Sequence, residues 1–308
     1  MTKELIGVDV GGTTIKIGRF TLDGKCIKKW DIPTNKTENG RFIVDEILDS
    51  ILHQVDLESI HGIGFGVPGP VINGVVAHCV NLGWPKTYLV NDVLLKLGKS
   101  DILIRATNDA NAAAAGEAFQ GAAKDYENVC MLTLGTGVGG GIVVNGIVIN
   151  GINGSAGELG HLVVDDKYHF ACNCGKKGCL ETVASATGIV SLAKAVLHES
   201  SEPSLLRQFD TFSAKRVFDI AKSGDNLANQ VIEEAASYLA KAMANVALTL
   251  NPDVFVLGGG VANAGEFLIK KIEPYYYALV EPFVSETKIM LAKLGNDAGI
   301  YGAASLVK

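Results

Sequence analysis

No run of apolar residues in this chain approaches the roughly 18 to 20 that span a bilayer, so a membrane-crossing helix is not expected. The opening stretch, MTKELIGVDVGG, lacks the charged segment and following apolar run of an export leader. A cytoplasmic location without a membrane partner is the expectation. Positive charge is not in excess either: 27 Lys and Arg stand against 33 Asp and Glu, a formal net charge of −6. Nucleic acid is therefore an unfavoured partner. Cysteine is sparse, and Cys26, Cys79 and Cys130 are scattered among apolar neighbours instead of forming a disulfide framework. That usage fits a reducing compartment. There is also no linker, charge block or low-complexity stretch to mark a domain boundary. What the chain does have is 308 residues at 48% apolar content, enough for a sizeable core and for two domains.

Short β-branched runs at Leu5 to Val10, Ile15 to Phe20 and Cys26 to Ile32 are punctuated by Gly11-Gly12-Thr13-Thr14 and Asp23-Gly24 and predict a three-stranded meander. Helical spacing follows over Phe42 to Val55, then strands at Ile63 to Val67 and Ile102 to Ala106, then an alanine-rich helix over Ala110 to Phe119. The pattern then repeats. Strands are predicted at Val129 to Leu134, Gly141 to Val144 and Ile147 to Ile149, the last two joined by the hairpin signal Asn145-Gly146. Helices over Ile189 to Leu197 and Asn226 to Leu250, a buried strand at Val254 to Leu257 and a terminal helix over Ile300 to Val307 complete the reading. Two successive units of this kind suit two α/β domains facing each other across a cleft, where substrates collect. The change of element pattern places the boundary near Gly116 to Ala123. The expected domains are 1–118 with 291–308, and 119–290.

Two glycine loops between strands carry the first chemical signal. Asp9-Val10-Gly11-Gly12-Thr13-Thr14 lets backbone N–H groups approach a phosphate and adds two hydroxyl donors, although an ordinary hairpin turn reads the same locally. A second loop, Leu134 to Gly141, follows a strand in the same way, so the pair suggests two phosphate clamps. Gly64 to Gly69 and Gly135 to Gly140 also match the G-x-G-x-x-G dinucleotide fingerprint. Neither is followed by a helix, and extended chain continues instead, which argues against that site.

Cys172, Cys174 and Cys179 crowd into eight positions, with His161 eleven residues upstream. Three thiolates and an imidazole suit tetrahedral Zn²⁺, with a redox pair as the alternative for a Cys-x-Cys spacing. Four protein ligands leave no open position, so such a metal would be structural. His169 is a competing nearby ligand. Glu158 and His161 are three apart, so one turn can present both to a single ligand, and Glu181 follows Cys179 closely enough to be held by the same loop. Asp109 lies where a strand gives way to a helix; from local sequence it reads as a helix N-cap or as a carboxylate held rigidly at a site.

Taken together, these segments resemble the ROK group of sugar kinases and sugar-responsive repressors. The resemblance spans nearly the whole chain and rests on Asp9-Val10-Gly11-Gly12-Thr13, Asn108-Asp109-Ala110-Asn111, Leu134 to Gly141, Gly157-Glu158-Leu159-Gly160-His161, Cys172 to Glu181 and Gly258-Gly259-Gly260. Asn81-Leu82-Gly83-Trp84, Glu181 to Gly188 and Leu294 to Gly299 are further similar to the glucokinases of low-GC Gram-positive bacteria. The resemblance implies an α/β, two-domain actin-like ATPase (ribonuclease H-like) fold and phosphorylation of glucose at the 6-hydroxyl by ATP. It implies Asp109 as general base, with Gly69, Asn81, Asn108, Glu158, His161 and Glu181 on the sugar. Asp9 would assist Mg²⁺, while Gly11, Gly12, Thr13, Thr14, Lys16, Gly135, Thr136, Gly137 and Gly139 serve the phosphates and Gly258, Gly259 and Gly260 the adenosine side. The zinc ligands implied are His161, Cys172, Cys174 and Cys179. Homodimers or homotetramers are implied as well. Two rivals share these motifs. A repressor would carry a DNA-binding helical domain ahead of the first loop, for which Asp9 is expected to leave no room. A kinase for N-acetylmannosamine, N-acetylglucosamine or fructose differs only in the glucokinase-like segments.

Overall fold

The computed structural model describes residues 3–284 and 286–308; Met1 and Thr2, at the head of the opening stretch read above, and Ser285, within the span 119–290, lie outside it. The meander forms as β1 (Glu4–Val10), β2 (Thr14–Thr21) and β3 (Cys26–Pro33), with Gly24 at φ +87° in its second turn. A short turn, α1 (Thr37–Gly40), and helix α2 (Ile43–Leu52) follow. The apolar positions that predicted α2 are the ones it buries, Ile43, Ile47 and Ile51. Next come β4 (Ile60–Val67), the hairpin β5 (Val71–Ile72) and β6 (Val75–Val76), α3 (Leu89–Leu97), β7 (Leu103–Asn108) and α4 (Asp109–Gln120). The repeat begins with β8 (Val129–Leu134), β9 (Val138–Val144) and β10 (Ile147–Val148). Asn145 and Gly146 have φ +51° and +73°, the pair of positive values that a two-residue hairpin turn demands. Helices α5 (Glu181–Ala184), α6 (Ala186–Glu199), α7 (Ala214–Lys222) and α8 (Asn226–Leu250) lead to β11 (Val254–Gly258), α9 (Glu266–Val280), β12 (Lys288–Leu291) and α10 (Ala298–Ser305).

The two five-stranded sheets have the orders β3-β2-β1-β4-β7 and β10-β9-β8-β11-β12, so the repeat read from the sequence is a repeat of topology. One expectation needs amending: β9 starts at Val138, so Val138 to Gly140 are strand and not loop.

The chain divides into two compact units, Met1–Val129 with Gly141–Gly157 and Lys293–Lys308, and Cys130–Gly140 with Glu158–Ala292. In the first, β1 pairs antiparallel with β2 but parallel with β4, and β4 is parallel to β7. Parallel pairing brings the carboxyl ends of β1, β4 and β7 to one edge, where Asp9 is level with Gly66 and Val67 with Asn108. Loops at that edge of a parallel sheet are where ligands are generally held. The C-terminal helix α10 completes this unit by direct backbone packing. A Cβ on Gly302 would collide with the Ala112 carbonyl of α4, so only glycine permits the approach. Glu117, fully buried in α4, fastens the entry to α10: its carboxylate accepts from the N–H of Lys293 (3.0 and 3.1 Å), Leu294 (2.8 Å) and Ala122 (2.7 Å). Those bonds satisfy a charge that burial would otherwise penalise heavily. In the second unit the 25-residue α8 is the main internal helix, capped by Asp225 accepting from Ala228 N–H at 2.9 Å and ended by Asn251 at φ +45°. Among the described residues no helix is long and apolar enough to cross a membrane.

Candidate active site

The first unit gathers one group of predicted residues at the carboxyl edge of its sheet. Asp9 is the next-to-last residue of β1, and Gly11 to Thr13 turn the chain into β2, closed by Gly11 N–H donating to the Thr14 carbonyl at 3.1 Å. Burial pushes the Asp9 carboxyl up to about 6, Asp109 adds to that, and Lys16 opposes it. A Cβ on Gly299 of α10 would stand 2.6 Å from the Asp9 carboxylate, so a glycine there makes room for it. Lys16 donates from Nζ to the Asn296 carbonyl at 2.6 Å. Asn108 is the N-cap of α4: its Oδ1 accepts from Ala110 N–H at 2.9 Å and Asn111 N–H at 3.4 Å. The capping reading of Asp109 is thereby corrected, because the cap belongs to its neighbour. Asp109 is instead the first helical residue, exposed, with Oδ1 accepting from Ala110 N–H at 2.8 Å. Asn108 Nδ2 donates to the Gly69 carbonyl at 3.3 Å, leaving its second N–H for another acceptor. Asn81 is exposed on a short 3₁₀ turn, Val80–Leu82, closed by mutual backbone bonds between Cys79 and Trp84, and it lies beside Gly12. Asp9, the first glycine loop, Gly69, Asn81, Asn108 and Asp109 are thus brought together as predicted.

The second unit gathers the others. Gly135 to Gly137 link β8 to β9, closed by Gly135 N–H donating to the Gly137 carbonyl at 2.9 Å. Gly139 lies within β9 itself. Gly258 ends β11, and Gly259, at φ +84°, lies against the Leu134 backbone, so the third glycine run sits beside the second loop. A cavity of about 360 Å³ opens next to it, lined by Gly260 and Asn263 on one side and by Ser213, Phe218, Asp219 and Lys222 of the α7 region on the other.

His161, Cys172, Cys174 and Cys179 have their donor atoms all within 4.8 Å of one another. His161 Nδ1 is 3.6 Å from Cys172 Sγ, and Cys174 Sγ is 3.6 Å from Cys179 Sγ. Ligands on one tetrahedral zinc, at about 2.3 Å for sulfur and about 2.0 Å for nitrogen, stand roughly 3.5 to 3.8 Å apart, so the spacing fits that ion. The chemistry fits as well. Burial, with Cys174 and Cys172 alongside, pushes the Cys179 thiol up to about 12, and a bound cation is what would hold it as thiolate. His169 is exposed and outside the cluster. The loop is shaped by Asp165, almost wholly buried, whose carboxylate accepts from Lys167 (3.0 Å), Tyr168 (2.8 Å) and Phe170 (3.2 Å) N–H groups just before Cys172. His161 Nε2 faces Glu158 at 4.0 Å across one 3₁₀ turn, as the three-residue spacing predicted.

Residues 5–308 match the model of the ROK family. The chain belongs to the ROK family. A glucokinase of Halalkalibacterium halodurans is 43% identical, over 98% of this chain and 94% of its own length, and one of Thermotoga maritima is 37% identical over 99% and 97%. Among solved structures, a ROK family glucokinase from Streptomyces griseus in complex with glucose and AMPPNP is 31% identical, with a TM-score of 0.72 over 98% of each chain. The actin-like ATPase fold expected from the sequence is the fold of these ROK neighbours.

Several residues of this ROK protein escaped the sequence reading. Glu117 gave no signal, since the partners that tie it to the entry of α10, Lys293 and Leu294, are 176 and 177 positions away. The wall formed by Ser213 to Lys222 was legible in part: Ser213 caps α7 by accepting from Arg216 N–H at 3.3 Å, a serine just ahead of an amphipathic run. Glu181 was assigned to sugar, yet its Oε2 accepts from Val138 N–H at 3.1 Å beside the second glycine loop.

Proposed function

We infer that this ROK chain transfers the γ-phosphoryl group of ATP to the 6-hydroxyl of glucose, giving ADP and glucose 6-phosphate in the cytoplasm. The observation that carries this reading is the placement of Asp109 as first residue of α4 beside a capping Asn108, in a chain 43% identical to a named glucokinase. Asp109 accepts the proton as the hydroxyl attacks, which demands a carboxylate held in line. Its backbone is fixed by the helix and by the Asn108 cap, so little reorganisation accompanies the reaction. Asn108, Gly69 and Asn81 contact the sugar, and so do Glu158, His161 and Glu181 near the anomeric end, the two carboxylates accepting from hydroxyls and the zinc-ligating imidazole offering its remaining N–H. Charged acceptors of that kind discriminate strongly, because a sugar lacking the hydroxyl leaves one unpaired.

The phosphates fall to the two glycine loops. In the second, Gly135 and Val138 commit their N–H groups to protein acceptors, so the donors offered are Thr136 and Gly137 N–H and the Thr136 hydroxyl. Asp9 would hold Mg²⁺: a carboxylate that burial and a second carboxylate both disfavour is relieved by a divalent cation. The ion neutralises charge at the transferring group when bound. The cavity beside Gly260 takes the nucleoside, and His161, Cys172, Cys174 and Cys179 hold a structural Zn²⁺. Release of ADP measured across a panel of hexoses tests the assignment. The expected result is the highest kcat/KM for glucose; a higher value for N-acetylmannosamine, N-acetylglucosamine or fructose would overturn it.

A further inference from the structure

The segment that carries the cysteine cluster is tied at three points to the second glycine loop. Glu181 Oε2 accepts from Val138 N–H at 3.1 Å, Ala186 N–H donates to the Gly135 carbonyl at 2.8 Å, and Thr187 Oγ1 donates to the Thr136 carbonyl at 2.9 Å. A Cβ on Gly137 would collide with the Glu181 carboxylate, so that glycine is also the space into which Glu181 fits. At its other oxygen, Glu181 meets Cys172 Sγ at 3.7 Å. The backbone continues the link: Thr182 N–H donates to the Cys179 carbonyl at 2.9 Å, and Leu180 N–H to the Leu162 carbonyl at 2.8 Å, next to His161. One carboxylate therefore touches a thiol of the cluster with one oxygen and the backbone of the phosphate loop with the other.

We propose that Glu181 is a positioning residue for the nucleotide, setting the conformation of the Gly135 to Gly137 loop, and that the His161, Cys172, Cys174 and Cys179 centre thereby supports ATP binding as well as sugar binding. This rests on the reading of Gly135 to Gly137 as a phosphate loop. The reasoning is geometric. A loop of Gly135, Thr136 and Gly137 carries little side-chain packing of its own, and its N–H groups can face a phosphate only if the peptide planes are fixed from behind. Holding the Val138 N–H in a charge-assisted bond fixes the plane between Gly137 and Val138. Ala186 and Thr187 fix the carbonyls of Gly135 and Thr136. All three fixings originate within eight residues of the Cys179 ligand.

The test is the affinity for AMPPNP with Mg²⁺, measured calorimetrically in the absence of sugar, beside zinc content and glucose affinity. Glu181→Ala is expected to bind AMPPNP about fivefold or more weakly while keeping zinc, as loss of one charge-assisted bond implies. Glu181→Gln, whose amide oxygen still accepts from Val138, is expected to restore affinity to within about twofold. Thr187→Val removes a tie made by a residue outside the metal-ligand set and is expected to weaken AMPPNP about threefold with glucose affinity unchanged, which carries the test if Glu181→Ala does not fold. Stripping the metal with a chelator is expected to weaken AMPPNP in the wild-type chain and to add little in Glu181→Ala. Unchanged AMPPNP affinity in Glu181→Ala or Thr187→Val, with the wild type binding AMPPNP normally, would overturn the proposal and leave Glu181 to the sugar alone. A wild-type chain that fails to bind AMPPNP would instead overturn the reading of the loop.

Discussion

The two glycine loops occupy equivalent places in two sheets of the same order, yet they are built differently. Ahead of the first stands Asp9, a carboxylate pushed up by burial; two residues ahead of Gly135 stands Thr133, without charge. The first loop is braced by the residue just past β3, Thr34, whose Oγ1 donates to the Gly11 carbonyl at 2.7 Å and whose N–H donates to the Thr13 carbonyl at 2.9 Å. The second is braced from the cysteine-bearing segment, through Glu181, Ala186 and Thr187. Topology repeats while chemistry divides: the first loop has the carboxylates of Asp9 and Asp109 beside it, and the second has neutral donors tied to the segment that carries the cysteine cluster.

The largest effect on this contrast is expected from Asp109→Asn, which keeps the shape of the side chain but removes the proposed proton acceptor and its charge beside Asp9. Turnover should fall by roughly 10² to 10⁴, with glucose affinity and thermal midpoint near wild type, since the helix cap is Asn108 and remains. Near-wild-type kcat would remove Asp109 from the mechanism. Cys179→Ser acts on the other side of the comparison. Metal content should drop from about one per chain to near zero by elemental analysis, with AMPPNP and glucose affinities falling together, because zinc ligation supplies on the order of 10 kcal/mol to the order of its segment. Full activity without metal would show that the second loop needs no such brace.

Asp9→Asn is expected to separate binding from folding. With the folded-state carboxyl near 6 against an ordinary 3.8, the folded chain holds a proton the unfolded chain releases, so this group's contribution is complete below pH 3.8 and is lost as pH rises through 6. The nucleotide-free wild type should therefore lose thermal stability across that window, and Asp9→Asn should flatten the slope and melt a few degrees higher at pH 7, while its KM for Mg-ATP rises at least about tenfold. Melting curves from pH 4 to 8 check the sign. The smallest effect compares two glycines directly. Gly137→Ala should lower the melting temperature by a few degrees, as a Cβ there displaces Glu181, whereas Gly12→Ala meets only Asn81, at 3.5 Å from its carbonyl oxygen, and should melt within about a degree of wild type.

Much of this was legible in the sequence because it is local. Hairpin signals fixed the turns, helical spacing fixed α2 and α8, and crowded cysteines announced a cluster whose donors do converge. What was not legible depends on distant partners. The strand β12 is only four residues long and exists by pairing with β11, so its own pattern is too short to read. Helix α3 begins at Leu89, and Tyr88 at its N-cap position makes no side-chain cap, which removes the usual starting signal. Asn108 and Asp109 both suit a cap, and only the backbone geometry decides between adjacent residues. Glu181 was readable as part of the zinc segment, but its tie to Val138, 43 positions earlier, was not.

The return of residues 293–308 to the first unit also bears on how the protein is made. Helix α10 packs on β1, β4 and α4, and Glu117 awaits the N–H groups of Lys293 and Leu294 before its buried charge is satisfied. On a ribosome, the first sheet emerges early but must stay unfinished until residues 293–308 have emerged, while the unit inserted between its pieces already has its whole chain. Vectorial synthesis would thus favour completion of the second unit first, reversing the usual order, and a nascent chain stalled before residue 293 should expose the face of β1 and β4 to chaperones.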